Sequence, residues 1–230
     1  LQVTPATRVV NISARAEIGT GENILIAGFV VPGGGAWNFL ARAVGATLHE
    51  QGVVQTVVMP TLSIVAHDGS VLASNTKWST NPDAARIAED AAQVGAFPLP
   101  AASDDAALLA NLSGGIHTLH VSPGDATGGI GLVELYALDE NSYPVNLSAR
   151  ARVRSGEKLL IGGFVIAGSR PQRVLIRAVG PTLSGLGVLA PLRDPQLDIV
   201  SGGKTVFHND DWESGDTALE IATAATAVGA

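Results

Sequence analysis

The sequence predicts an all-β protein made of tandem β-sandwich units, of jelly-roll or immunoglobulin-like type, each with one short helix. Three observations lead there. The chain is apolar and poor in charge, with 46% hydrophobic and 15% charged residues, where soluble domains usually carry about 25% charge. It is punctuated by 27 glycines and 12 prolines, which suits short strands joined by tight turns. It also repeats: 26 of the 55 positions from Asn11 to Val65 are identical to those from Asn146 to Val200, 135 residues further on.

The first copy supplies the elements in order. "ENILIAGFVV" (22–31) and "WNFLARAVG" (37–45) read as apolar strands. "PGGG" between them reads as a tight connection, with Gly33, Gly34 and Gly35 supplying the positive φ it needs. "TLSIVAHDGSVLAS" (61–74) is a hairpin with Asp68-Gly69 at its turn, a strong short-range hairpin signal. "NPDAARIAEDAAQVG" (81–95) is the one helical piece. Asn81 can cap it, Pro82 suits its first position and Gly95 can stop it. "AALLANL", "IHTLHVS" and "GIGLVELYAL" then read as three further strands between glycine- and proline-rich turns. Regular crossover helices are missing, so a parallel α/β sheet is excluded.

The second copy follows the same plan. Gly28, Arg42, Gly45 and Pro60 recur as Gly163, Arg177, Gly180 and Pro195. After a one-residue deletion, Asn75, Trp78 and Ile87 recur as Asn209, Trp212 and Ile221. The organisation expected is a complete sandwich repeat over residues 1–145 and an incomplete one over 146–230 that lacks the counterpart of 97–145.

Composition narrows the function. Net charge is −7 and no basic cluster stands out, which argues against nucleic-acid binding. Without cysteine there are neither disulfides nor thiolate metal sites. No apolar run approaches the ~18 residues a membrane span requires. The chain opens "LQVTPATR" without Met, as expected of a processed chain or a fragment whose signal peptide is gone.

The repeated arginines, Arg42 and Arg177, sit inside apolar runs ("FLARAVGATL" and "VLIRAVGPTL"). A buried arginine must be paired, because an unpaired buried charge is expensive. The repeated Glu22 and Glu157, or carbonyls of the following turn, are the expected partners, and the arginines are expected to be structural. Trp78 and Trp212 are expected to cover the core.

Chemistry-bearing residues are few. The five histidines form no Ser/His/Asp arrangement. His117 and His120 lie three apart and so face opposite sides of a strand, where they read as solvated. "PGGG" lacks the GK[ST] ending of a phosphate loop. The pairs Asp104/Asp105 and Glu89/Asp90 read as ordinary solvated carboxylates. In "HNDDW", Asn209, Asp210 and Asp211, with Asp216, offer the oxygen ligands calcium takes. The first copy has "SNTKW" there, and Lys77 would repel a cation. The shared Asn and Trp therefore read as turn and core residues, with calcium as the alternative in the second copy.

The motif series "NLSAR…GFV…VLIRAVGPTL…NDDW" resembles a tandem repeat of large secreted or surface proteins of environmental bacteria. The resemblance implies extracellular architecture and no catalytic residue. The expectation is a non-enzymatic, secreted, cell-surface structural protein without a cofactor. It would be a repeat unit of a stalk or self-assembling filament, its partner another copy of itself that completes the second repeat by donated strands. The alternative is a carbohydrate-binding or adhesive sandwich module, for which Trp37 beside the glycine turn is the best exposed aromatic.

Overall fold

The computed structural model describes residues 7–230. The chain is all-β in its main features: one eight-stranded antiparallel sheet, one two-stranded antiparallel sheet and short helices. Described residues up to Pro171 form one compact unit, and Gln172–Ala230 form a second. These limits differ from those of the sequence repeat, because residues 146–171 join the first copy.

In the first unit, β1 is Arg8–Ile18 and β2 is Leu25–Val44; the short helix α1 spans Ala46–Glu50. A hairpin follows, β3 (Pro60–Ala66) and β4 (Val71–Asn75), then helix α2 (Ala84–Gln93). Strands β5 (Ala106–Pro123) and β6 (Gly129–Ala137) complete the first copy. The second copy contributes β7 (Leu147–Arg150) and β8 (Ile161–Ala167) to the same sheet. The strand order is β4-β3-β5-β2-β6-β1-β8, with β7 paired to β2.

Two expected strand breaks are corrected. "PGGG" does not join two strands: β2 runs through it as one strand, and of the three glycines only Gly34 has positive φ. "AALLANL" and "IHTLHVS" are likewise one strand, β5, paired with β2 on both sides of the irregularity between Val31 and Ala36. The physical reason is a shared bend. A Cβ on Gly114 would lie 2.6 Å from the Gly33 Cα, so the two glycine segments nest and both strands turn the corner together. The turn is sharp. Phe29 and Phe39 would stand ~33 Å apart on a straight strand, yet their ring centroids are 6.1 Å apart.

The bent sheet thereby wraps one core. Ile12, Ala14, Ala16 and Ile18 alternate inward from β1, and Leu25, Ala27, Phe29 and Val31 from the first half of β2. Phe39, Ala41 and Ala43 follow from its second half, with Leu62, Ile64, Leu119, Val121, Val133 and Leu135 from the neighbouring strands. That second half is covered on its other face too, where Leu40 and Ala107 meet Trp78, Ile87, Ala91 and Ala96 on and around α2. The helix begins at Ala84, later than the cap position expected; the Asn81 side chain accepts the Asp83 amide instead. Gly95 ends it with φ of 74°.

The second unit repeats the later elements of the first copy. β9 (Leu197–Ser201) and β10 (Lys204–Asn209) form the hairpin that matches β3–β4, and helix α3 (Ala218–Val228) matches α2. The turn after the motif arginine is also repeated. A Cβ on Gly45 would lie 2.0 Å from the Val57 carbonyl oxygen, and one on Gly180 would lie 2.1 Å from the Leu192 carbonyl oxygen. Val57 and Leu192 are themselves repeat counterparts, so only glycine fits in either copy. One element departs from expectation: "RVLIRAVG" (173–180) is not a strand, and Arg177 is exposed. The equivalent stretch of β2 is flanked by β5 and β6. No strand lies beside residues 173–180 among those described, and a strand needs such a neighbour to satisfy its backbone.

Candidate functional site

Two constellations in the first unit bring several ionisable side chains together. One is built on the motif arginine. Arg42 is fully buried, and its Nε lies 3.0 Å from Glu134 Oε2. Its Nη1 donates to the Phe97 carbonyl at 2.7 Å, and its guanidinium sits 4.4 Å from the centre of the Phe97 ring. The ladder explains the pairing, because Arg42 stands directly opposite Glu134 in the β2–β6 register. Tyr136 shares the face of Glu134 and donates its hydroxyl to Oε1 at 2.7 Å. Burial first, and then the Glu134 charge, push the Tyr136 phenol well above its ordinary range.

The expected partners are therefore corrected. Glu22 and Glu157 do not meet the motif arginines; Glu22 lies 3.9 Å from Arg150, and Glu157 is 2.7 Å from Arg15. Both sit on exposed turns at strand starts, out of reach of the buried face. The signal for Glu134 was present in sequence: it is the lone acidic residue in an apolar strand, matching the lone cation in another.

Beside Arg42, Asp105 is fully buried rather than solvated. Its carboxylate accepts the Gly45 amide at 2.7 Å, the Thr47 amide at 3.3 Å and the Thr47 hydroxyl. These bonds hold the start of α1. Its neighbour Asp104 pairs with Lys77 at 2.7 Å. In the first copy "RAVGAT" thus builds a strand-to-helix corner: arginine locks the strand, glycine allows the close approach, and threonine donates to the capping Asp105.

The other constellation is a seam between the two sequence copies. β7 pairs with β2 at Ile26↔Arg150, Ala27↔Ala149, Gly28↔Ser148 and Phe29↔Leu147. β8 pairs with β1 at Arg15↔Ile161, Ala14↔Gly162, Ser13↔Gly163 and Ile12↔Phe164. Adding or subtracting the 135-residue repeat offset converts each of these pairs into its counterpart. The first strand of each copy therefore pairs with the second strand of the other, while β1 also keeps its ladder with β6 of its own copy. The details repeat too: a Cβ on Gly28 would lie 2.5 Å from Ser148 Oγ, and one on Gly163 would lie 2.6 Å from Ser13 Oγ.

At the centre of the seam, Glu17 faces its own counterpart, Arg152, across an antiparallel bridge. Lys158 Nζ lies 2.6 Å from Glu17 Oε1, and Arg154 Nε lies 3.1 Å from Oε2. The Lys158 hydrogen bond first, and the charges of Arg154, Lys158 and Arg152 with it, hold the Glu17 carboxyl below its ordinary range against the opposing effect of burial.

The remaining candidates are placed as follows. Trp78 is buried, donating Nε1 to the Pro100 carbonyl at 3.0 Å. Trp212 is 47% exposed, so it covers no core in the second unit. Trp37 is half-buried and donates to the Pro32 carbonyl at 3.1 Å, close over Gly35. His117 is buried against Phe29 and bonded to the Ser113 carbonyl, because it lies on the inward face of β5. His120 faces the other way and pairs with Thr118; burial, with Arg150 as a lesser cause, lowers its basicity.

Asn209 ends β10, and Asp210 accepts from Gln196 at 3.4 Å. Among the described residues no three His, Asp or Glu side chains are grouped to hold a metal ion, so Asp210, Asp211 and Asp216 are not brought together. No described helix is long and apolar enough to cross a membrane.

Compared with protein-family models, with curated proteins and with solved structures, the chain matches none.

Proposed function

We propose that this chain is a non-enzymatic structural segment of a secreted, cell-surface stalk or self-assembling filament, built from tandem β-sandwich units that share strands. The reciprocal strand exchange between the two copies carries the reading. Two repeats whose first strands each pair with the other's second strand cannot be pulled apart without breaking two ladders, which suits a load-bearing unit. The ionisable groups support the same role. Arg42, Glu134 and Asp105 hold a corner together, and Glu17, Arg154 and Lys158 hold a seam; none converges on a cleft.

Self-assembly is supported by the second unit. Its Phe207 and Trp212 are exposed. In the first copy that surface is packed: the counterparts Ala73 and Trp78 sit in clusters that β5 and β6 help build. Two donated strands of that kind, from a neighbouring subunit, would cover it and give Arg177 an acidic partner. Such a contact is heterologous and propagates as a filament. The adhesive reading draws no support from Trp37, whose ring lies on its own turn.

Sedimentation velocity from low to high micromolar concentration, with electron microscopy of the same samples, tests this. Concentration-dependent growth into fibres is expected. A stable monomer at every concentration overturns self-assembly.

A further inference from the structure

We propose that the strand exchange is a closed pairing of two repeats, and that charge at its centre selects an unlike partner: a Glu17-type repeat pairs with an Arg152/Arg154/Lys158-type repeat and not with its own kind. This goes beyond the filament role, since it would hold for a chain that never polymerises.

Closure follows from the register. Every pair between β7 and β2 has its counterpart between β8 and β1, and position 17 lies opposite its own counterpart, 152. In an antiparallel pair, a residue opposite its own equivalent marks a two-fold axis. The seam is therefore isologous, so it joins two repeats and stops. Growth of an array must use another surface, such as the exposed face of the second unit.

Partner choice follows from what the two copies share and what they do not. Arg15 and Glu22 recur as Arg150 and Glu157. Their ion pairs would form equally well between two like repeats, so they hold the seam without choosing. Three positions differ in charge: Glu17, Gly19 and Asn23 in the first copy become Arg152, Arg154 and Lys158 in the second. A pair of first-type repeats would set Glu17 against Glu17 with none of those three cations beside them. A pair of second-type repeats would crowd six cations at the axis. Only the unlike pair gives the carboxylate its three cations, so the repulsion in the like pairs selects against them.

The test uses two full-length variants. Glu17→Arg makes both copies basic at the axis. The triple change Arg152→Glu, Arg154→Glu, Lys158→Glu makes both acidic. Each alone is expected to lose seam protection, read as amide exchange at least ~10-fold faster in β7 and β8 with the β3–β5 amides unchanged. Mixed in equal amounts, the two restore protection and form a one-to-one heterodimer, detected by native mass spectrometry. Wild-type protection in either separate variant, or no heterodimer and no recovery on mixing, overturns the proposal. If either variant unfolds throughout, Glu17→Gln decides: faster exchange confined to β7 and β8 supports selection by charge, and unchanged exchange refutes it.

Discussion

Replacing Arg42 by methionine keeps most of the side-chain volume and removes the charge. Arg42 is fully buried, and Glu134, 3.0 Å away, is 6% exposed. The change leaves a buried carboxylate with Tyr136 as its remaining donor, and it strips the Phe97 carbonyl of the Nη1 hydrogen bond. Breaking one side of a buried ion pair costs about 3–5 kcal/mol. At roughly 2–4 °C per kcal/mol for a domain of this size, the melting temperature should fall by about 10 °C. Circular dichroism during thermal unfolding reads this directly. The double variant Arg42→Met with Glu134→Leu should recover most of the loss, because an apolar pair of similar volume often replaces a buried ion pair at little cost. Arg177→Met is the internal control: Arg177 is exposed, and surface changes usually stay within ~0.5 kcal/mol. A shift under ~2 °C for Arg42→Met, or an equal shift for Arg177→Met, would show that the buried Arg42–Glu134 pair does not hold the fold.

Three further outcomes follow. Gly45→Ala should unfold or strongly destabilise the first unit, because its Cβ would meet the Val57 carbonyl oxygen at 2.0 Å, whereas Gly162→Ala, with open space around it, should be nearly silent in the same melt. Asp105→Ala leaves the Gly45 and Thr47 amides unmet in a buried site, a loss of ~1–3 kcal/mol in urea titration, with a loss below ~0.5 kcal/mol counting against the cap. Glu17 is held below its ordinary 4.5 by Lys158, Arg154 and Arg152, so its stabilisation is complete above that value and drains as pH falls through the lowered native value. The urea midpoint should drop over that acid range in wild type and drop less in Glu17→Gln; parallel curves would contradict it.

The local chemistry of the fold was legible in sequence. Asp68-Gly69 makes the β3–β4 hairpin, and Gly95 stops α2. What stayed hidden depends on partners far along the chain. "PGGG" satisfies the local rules of a tight turn and of a bulge equally well; only the nesting of Gly114 against Gly33 decides for the bulge. The partner of Arg42 is set by the β2–β6 register, 92 positions away in sequence. The solvated reading of Asp105 failed for the same reason, since the groups that donate to its carboxylate belong to Gly45 and Thr47, about 60 positions away. The repeat itself was plain, but identity between copies does not say whether a first strand also pairs with the other copy. That choice rests on cross-copy pairs such as Ser13 with Gly163, invisible until register is known.

The exchange is tested most directly by disulfide trapping in a chain that has no cysteine of its own. Gly28→Cys with Ser148→Cys, and Ser13→Cys with Gly163→Cys, should each close within one chain in dilute solution under mild oxidation, because in each pair a Cβ at the glycine would touch the serine hydroxyl. Closure of both pairs is the predicted result. Failure of both, or bonds that form only between chains, would mean that the first strand of each copy does not pair with the second strand of the other.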